Sequence, residues 1–104
     1  MEWLVDDHLV PGAGPSVARM TLKAGKNSPP HRHPNCDEFI YLAKGTIEQF
    51  KEADRVSLSP GQYFFIPAGE THFSVNRGDR DAILLLSYSA GIRHYESMEK
   101  GSGT

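Results

Sequence analysis

Cysteine is nearly absent from this chain. Cys36 is the only one, so no internal disulfide can form, as expected of a protein from a reducing compartment. An excess of one charge sign is missing too. The 104 residues carry 11 Lys and Arg against 13 Asp and Glu, a formal charge of -2. No Lys/Arg cluster supplies the footprint of a nucleic-acid binder. Nor is there a long apolar run. The longest, Ala82-Ile83-Leu84-Leu85-Leu86, falls far short of the ~20 residues that cross a bilayer. The amino end has Glu2, Asp6 and Asp7 where a secretion signal carries positive charge. The expectation is a cytoplasmic protein with neither nucleic-acid nor membrane partners. A sustained 3.6-residue apolar period is also missing before residue 90, and only residues 92–100 suggest a short terminal helix.

What the chain has instead is punctuation. Its 10 Gly and 7 Pro separate short β-prone stretches at residues 17–22, 38–43, 46–50, 55–58, 62–66, 72–76 and 82–89. The breaks Ser59-Pro60-Gly61, Pro67-Ala68-Gly69 and Asn76-Arg77-Gly78-Asp79 are turn chemistry. Lys44-Gly45 between two such stretches has the look of a hairpin. Many short strands in a chain long enough for one domain predict an all-β sandwich or barrel.

The chemistry concentrates in His31-Arg32-His33-Pro34-Asn35-Cys36-Asp37-Glu38. Side chains two apart on an extended segment share a face, so His31 and His33 are set to share one ion, with Arg32 on the opposite face. Residues 34–37 read as a turn, and Glu38 opens the returning strand with a carboxylate.

Two long spacings extend this pattern. Gly25, five residues, His31, Arg32, His33, four residues, Glu38, six residues and Gly45 make the first. Gly61, five residues, Pro67, one residue, Gly69, two residues, His72, three residues and Asn76 make the second. Together they resemble the two cupin motifs at every signature position. Fifteen residues separate Gly45 from Gly61, as in small microbial single-domain cupins. The resemblance implies a double-stranded β-helix, the jelly-roll cupin barrel, with one divalent transition metal held by His31, His33, Glu38 and His72. The chain then divides into an amino-terminal arm (1–15), a barrel (16–90) and a carboxy-terminal segment with a mobile tail (91–104). In the arm, Trp3, Leu4 and Val5 are apolar enough to add a strand to the same barrel or to a partner.

Three imidazoles and a carboxylate suit Fe or Mn, with Ni, Zn and Cu as further candidates. Four protein ligands on an octahedral ion leave two neighbouring positions for substrate, water or dioxygen. The imidazoles bind only when neutral, so metal is expected to leave as the pH falls below about 6.

Strand parity places Met20, Leu22, Ile40, Leu42, Ile47, Gln49, Ser74 and Asn76 inward. It leaves open whether Tyr63 and Phe65 or Gln62 and Phe64 face inside. No inward strand position other than Glu38 is charged, which disfavours a phosphosugar substrate needing Arg or Lys. A small, fairly apolar, metal-chelating substrate is expected, oriented by Tyr63 or Gln49. Cys36 is read as a turn residue, and His8 and His94 as surface residues. Phe39 and Tyr41 on the outer face suggest a homodimer. The favoured function is a metal-dependent enzyme, a dioxygenase ahead of an isomerase, decarboxylase or lyase. The alternative is a non-catalytic sensor or carrier of a metal or small ligand.

Overall fold

In the computed structural model, which describes residues 1–98, the chain forms two five-stranded antiparallel sheets. In chain order the strands are β1 (Glu2–Val5), β2 (Ser16–Leu22), β3 (His31–Arg32), β4 (Glu38–Lys44) and β5 (Ile47–Lys51), followed by β6 (Asp54–Leu58), β7 (Tyr63–Ile66), β8 (His72–Val75), β9 (Ala82–Tyr88) and β10 (Glu96–Ser97). One sheet has the order β1-β2-β9-β4-β7, the other β10-β3-β8-β5-β6. Apart from β1 with β2 and β5 with β6, successive strands alternate between the sheets, the arrangement of a double-stranded β-helix.

The core between the sheets follows from period-two alternation. In β9, Ala82, Leu84, Leu86 and Tyr88 are buried while Ile83, Leu85 and Ser87 are only partly covered. Ile40 and Leu42 of β4, Ala18 and Leu22 of β2, Ile47 of β5 and Leu58 of β6 complete the apolar centre. β9 is paired on both sides, to β2 and β4, which suits the chain's longest apolar run. The register of β7 is now fixed. Ile66 is buried and Phe64 packs on the core, while Tyr63 and Phe65 are 65% and 51% exposed.

Two local expectations fail. The stretches flanking Lys44-Gly45 do not form a hairpin, because β4 and β5 belong to different sheets. Gly45 instead carries the chain from one sheet to the other at φ +84°. A Cβ there would lie 2.9 Å from the Ala82 backbone, so only glycine fits the crossing. Residues 92–98 form no helix; they run irregularly into β10, which pairs with β3. Their hydrogen bonds go outward, since Asn35 Oδ1 accepts from the His94 amide at 2.7 Å and Asn35 Nδ2 donates to the Ile92 carbonyl at 2.9 Å. The last part of the expected helix, residues 99–100, and the expected mobile tail, residues 101–104, lie outside the described residues.

The amino-terminal arm docks on its own barrel. β1 pairs with β2, and Trp3 sits over Tyr88 with ring centroids 5.8 Å apart. Asn76, the last residue of the second motif, is structural. Its Nδ2 donates to the Leu22 and Arg80 carbonyls and its Oδ1 accepts from the Gly78 amide, closing the turn after β8.

Candidate metal centre

His31 opens β3, His33 follows it, His72 opens β8 and Glu38 opens β4. His31 and His72 are directly paired across β3 and β8, so three imidazoles come from one sheet. Glu38 comes from the other, where it pairs with Ile66 and Tyr88. The site therefore lies between the sheets. One ligand atom from each of the four residues falls within 4.8 Å of all the others, a set that small ring movements would bring onto an ion bound at about 2.0–2.2 Å.

The backbone decides which nitrogen of each ring faces the centre. His31 Nδ1 lies 2.7 Å from the Pro29 carbonyl, His33 Nδ1 2.8 Å from the His94 carbonyl, and His72 Nδ1 2.9 Å from the Glu70 carbonyl. A carbonyl only accepts, so each Nδ1 carries the proton and donates. In the neutral ring the Nε2 lone pair is then left for the interior. His72 Nε2 stands 2.8 Å from Glu38 Oε1 and His33 Nε2 stands 3.1 Å from the same oxygen. The second contact is out of line for a hydrogen bond, leaving the buried His33 Nε2 without a partner. Lone pairs aimed at a carboxylate repel it unless a cation lies among them. The donor set thus fits a divalent ion, with carbonyl acceptors behind the imidazoles in the usual manner of histidine ligands.

The electrostatics of the metal-free cluster put protons where a metal cation would otherwise sit. Burial pushes the Glu38 carboxyl up, but His33 and His72 together overcome it and hold it at about 2. Burial, reinforced by the other two imidazoles, lowers His31 to about 4. Burial also opposes charge on His72, yet the Glu38 carboxylate outweighs it and the net shift is upward. Glu38 is thus ionised and His31 neutral at physiological pH, the forms that ligate a metal.

A cavity of about 190 Å³ opens beside this cluster, smaller than the about 300–1,000 Å³ of pockets for drug-sized ligands. Met20, Ile40 and Leu86 give it apolar walls, and Tyr88, Arg93 and Tyr95 line another part of it. Tyr95 stacks on His31 at 4.8 Å. Tyr88 meets His33 edge-on at 5.1 Å, and burial with the Glu38 charge pushes its phenol up.

The other sequence-derived residues fall in different places. Gln49 is fully buried, but its Nε2 donates to the Phe50 and Phe73 carbonyls and its Oε1 accepts from the Ser74 hydroxyl. It holds Ser74, which lines the cavity, and does not line the cavity itself. Tyr63 lies on the outer sheet face, stacked on Phe39 at 5.3 Å, so it does not orient anything at the cluster. Cys36 is a core residue, not merely a turn residue. Arg32 does point away, its Nε donating to Glu96 Oε1 at 2.7 Å. His94 exposes its side chain as expected, yet its main-chain carbonyl fixes His33. Sequence reasoning missed Tyr88, Arg93 and Tyr95. Alternation along β9, which buries Leu84, Leu86 and Tyr88 on one face, was the signal that could have found Tyr88. Arg93 and Tyr95 sit in irregular chain, where no period marks them.

Known proteins show the same pattern. The family model for the cupin domain matches residues 18–88. Rice (Oryza sativa subsp. japonica) germin-like protein 1-1 is 29% identical over 85 residues, covering 77% of this chain and 39% of that protein. The Prunus persica auxin-binding protein ABP19b is 37% identical over 86 residues, covering 78% and 41%. This chain spans about two fifths of the length of such relatives. Among solved structures, an oxalate oxidase superposes with a TM-score of 0.83 at 26% identity, covering 90% of this chain and 52% of that one. The Lactobacillus farciminis oxalate decarboxylase reaches 0.84 at 24% identity, covering 92% and 30%, a likeness of fold alone.

Proposed function

Because the chain belongs to the cupin family, and holds a His/Glu group able to bind a metal, we propose that it is a metal-dependent enzyme acting on a small, metal-chelating organic substrate, with dioxygen as the favoured co-substrate. The observation that carries this reading is the fixed tautomer of three imidazoles, each held at Nδ1 by a backbone carbonyl, with Nε2 of His33 and of His72 beside Glu38. A first-row divalent ion held by His31, His33, Glu38 and His72 supplies Lewis acidity and, if Fe or Mn, a redox couple.

The chain's own residues do the rest. Glu38 and the imidazoles offer one negative charge to a doubly charged ion, so the site stays positive and attracts oxygen donors. Met20, Ile40 and Leu86 exclude water from the cavity wall, which strengthens every electrostatic contact inside. The cavity's volume of about 190 Å³ suits a small substrate. Likeness to an oxalate oxidase supports oxygen-dependent chemistry on a small acid.

Metal content of protein purified without added metal, followed by oxygen uptake with small acids, diketones, catechols and thiols, tests the proposal. Near-stoichiometric iron or manganese, with uptake lost in His72→Ala, is the expected result. Tight zinc or nickel without turnover would favour the second reading, a non-catalytic holder of metal or ligand. One observation favours that reading. In the metal-free protein Tyr88, paired directly with Glu38 across β4 and β9, has its phenol pushed up by burial and the Glu38 charge, away from proton transfer at neutral pH.

A further inference from the structure

Arg93 differs from the outer-surface arginines, of which four are ion-paired and the fifth, Arg80, is exposed to solvent. Arg19 pairs with Glu2, Arg32 with Glu96, and Arg55 and Arg77 with Glu48. Among the described residues, no Asp or Glu forms an ion pair with Arg93. Its Nε is buried with no hydrogen-bond partner, and a terminal nitrogen reaches only the Met1 sulfur at 3.8 Å. Three rings hold the group in place. The guanidinium carbon lies 5.3 Å from the Trp3 ring, 5.4 Å from Tyr88 and 5.2 Å from Tyr95. It lines the same cavity as His31, Glu38 and His72.

A buried donor left unpaired is costly, and a guanidinium is built for bidentate contact with a carboxylate. Among the described residues the only carboxylate in the cavity wall is Glu38, which faces His72 Nε2 at 2.8 Å and His33 Nε2 at 3.1 Å and forms no ion pair with Arg93. We propose that Arg93 receives the carboxylate of the substrate, and that the substrate class is small 2-hydroxy or 2-oxo carboxylates bridging the ion and the guanidinium. This rests on the metal-dependent reading above and narrows its substrate. Charge supports it: a divalent ion and Arg93 against the single Glu38 carboxylate leave the apolar cavity with an excess of positive charge. Size supports it too, since about 190 Å³ suits a small acid held between the ion and Arg93. The three rings orient the fork and restrict its motion, so little side-chain freedom remains to be lost on binding. Arg93 is thus a specificity-determining residue supplied by the irregular chain between β9 and β10, and β1 helps to place it through Trp3.

The test is calorimetric titration of the manganese-loaded protein with glycolate and with glycolamide, its neutral counterpart with the same chelating oxygens. Glycolate should bind more tightly. Arg93→Gln should weaken glycolate by about ten- to a hundredfold while leaving glycolamide and manganese affinity unchanged. Arg93→Lys should restore part of the loss. Equal weakening of acid and amide would mean that Arg93 merely pins the arm, and would overturn the proposal. If the Gln variant does not fold, the unsubstituted protein still decides, because equal affinity for glycolate and glycolamide overturns it as well. A protein that takes up no metal yet binds glycolate through Arg93 would sink the enzyme reading and leave the carboxylate site standing.

Discussion

Glu38 Oε1 lies 2.8 Å from His72 Nε2 although the two residues stand on different sheets. With His72 Nδ1 already donating to the Glu70 carbonyl, this contact requires a cation on the inner nitrogen, either a proton or a metal. The cluster is therefore a place where protons and metal ions compete for the same lone pairs.

That competition gives an expected pH dependence for the metal-free protein. His31 titrates at about 4 when folded, against an ordinary 6.5. Between those values the unfolded chain takes up a proton that the folded one refuses, so stability falls as the pH drops from 6.5 towards 4. His72 shifts the other way; its contribution is present below 6.5 and is lost as the pH rises through its raised value. Glu38, at about 2 against 4.5, contributes stability that is complete above 4.5 and disappears as the pH falls towards 2. Urea unfolding of His31→Gln at several pH values should show a smaller loss between 6.5 and 4 than the unsubstituted protein. Parallel curves would refute the assignment.

Asn35 is expected to tune metal affinity without touching the ion. It ties residues 92–94 in place, and the His94 carbonyl then fixes His33. Asn35→Ala should weaken metal binding by about 10–100-fold, read by competition with a chromophoric chelator, while the β-sheet circular dichroism stays the same. Unchanged affinity would show that His33 needs no such support.

Two glycines should respond differently to alanine. Gly45 and Gly61 both have positive φ, but a Cβ at Gly45 would strike the Ala82 backbone, whereas Gly61 has nothing within 4 Å. Both substitutions should destabilise by more than about 1 kcal/mol, and Gly45→Ala should be clearly the worse in denaturant titration. Equal losses would mean that backbone strain alone matters at both.

The outer face of β4 and β7 is expected to bury against a second copy of the chain. Phe39 stands opposite Phe65 and Tyr41 opposite Tyr63, all four exposed, on the edge strand β7 and its neighbour. Contiguous apolar surface of this kind often marks a protein interface. Sedimentation should show a dimer that Phe65→Asp converts to a monomer; a monomer without substitution would end this expectation.

Period-two patterns were legible wherever a strand faces the core on one side. Leu22, Ile40, Leu42, Ile47, Gln49, Ser74 and Asn76 are buried as parity indicated and Met20 is partly buried against the core, and the spacing of two motifs brought His31, His33, Glu38 and His72 to one place. The partner of each strand was less legible. The turn at Gly45 looks local in sequence, but its geometry is set by the approach of Ala82, distant along the chain. β7 could not be oriented because it is apolar on both parities. Arg93 escaped because irregular chain has no period, and its place in the cavity depends on rings from β1, β9 and the Tyr95 segment.

The division of ligands between the two sheets has a kinetic consequence. His31, His33 and Glu38 are near neighbours in the chain, but His72 arrives 34 residues after Glu38, and closing that loop precedes any reward from the fourth ligand. A complete set exists only once β8 has paired with β3 and β4 lies opposite them. An ion that recognises the full set thus meets the barrel late, after the slow step of assembly, and acts mainly on the reverse step. It lengthens the lifetime of the closed barrel more than it hastens its formation.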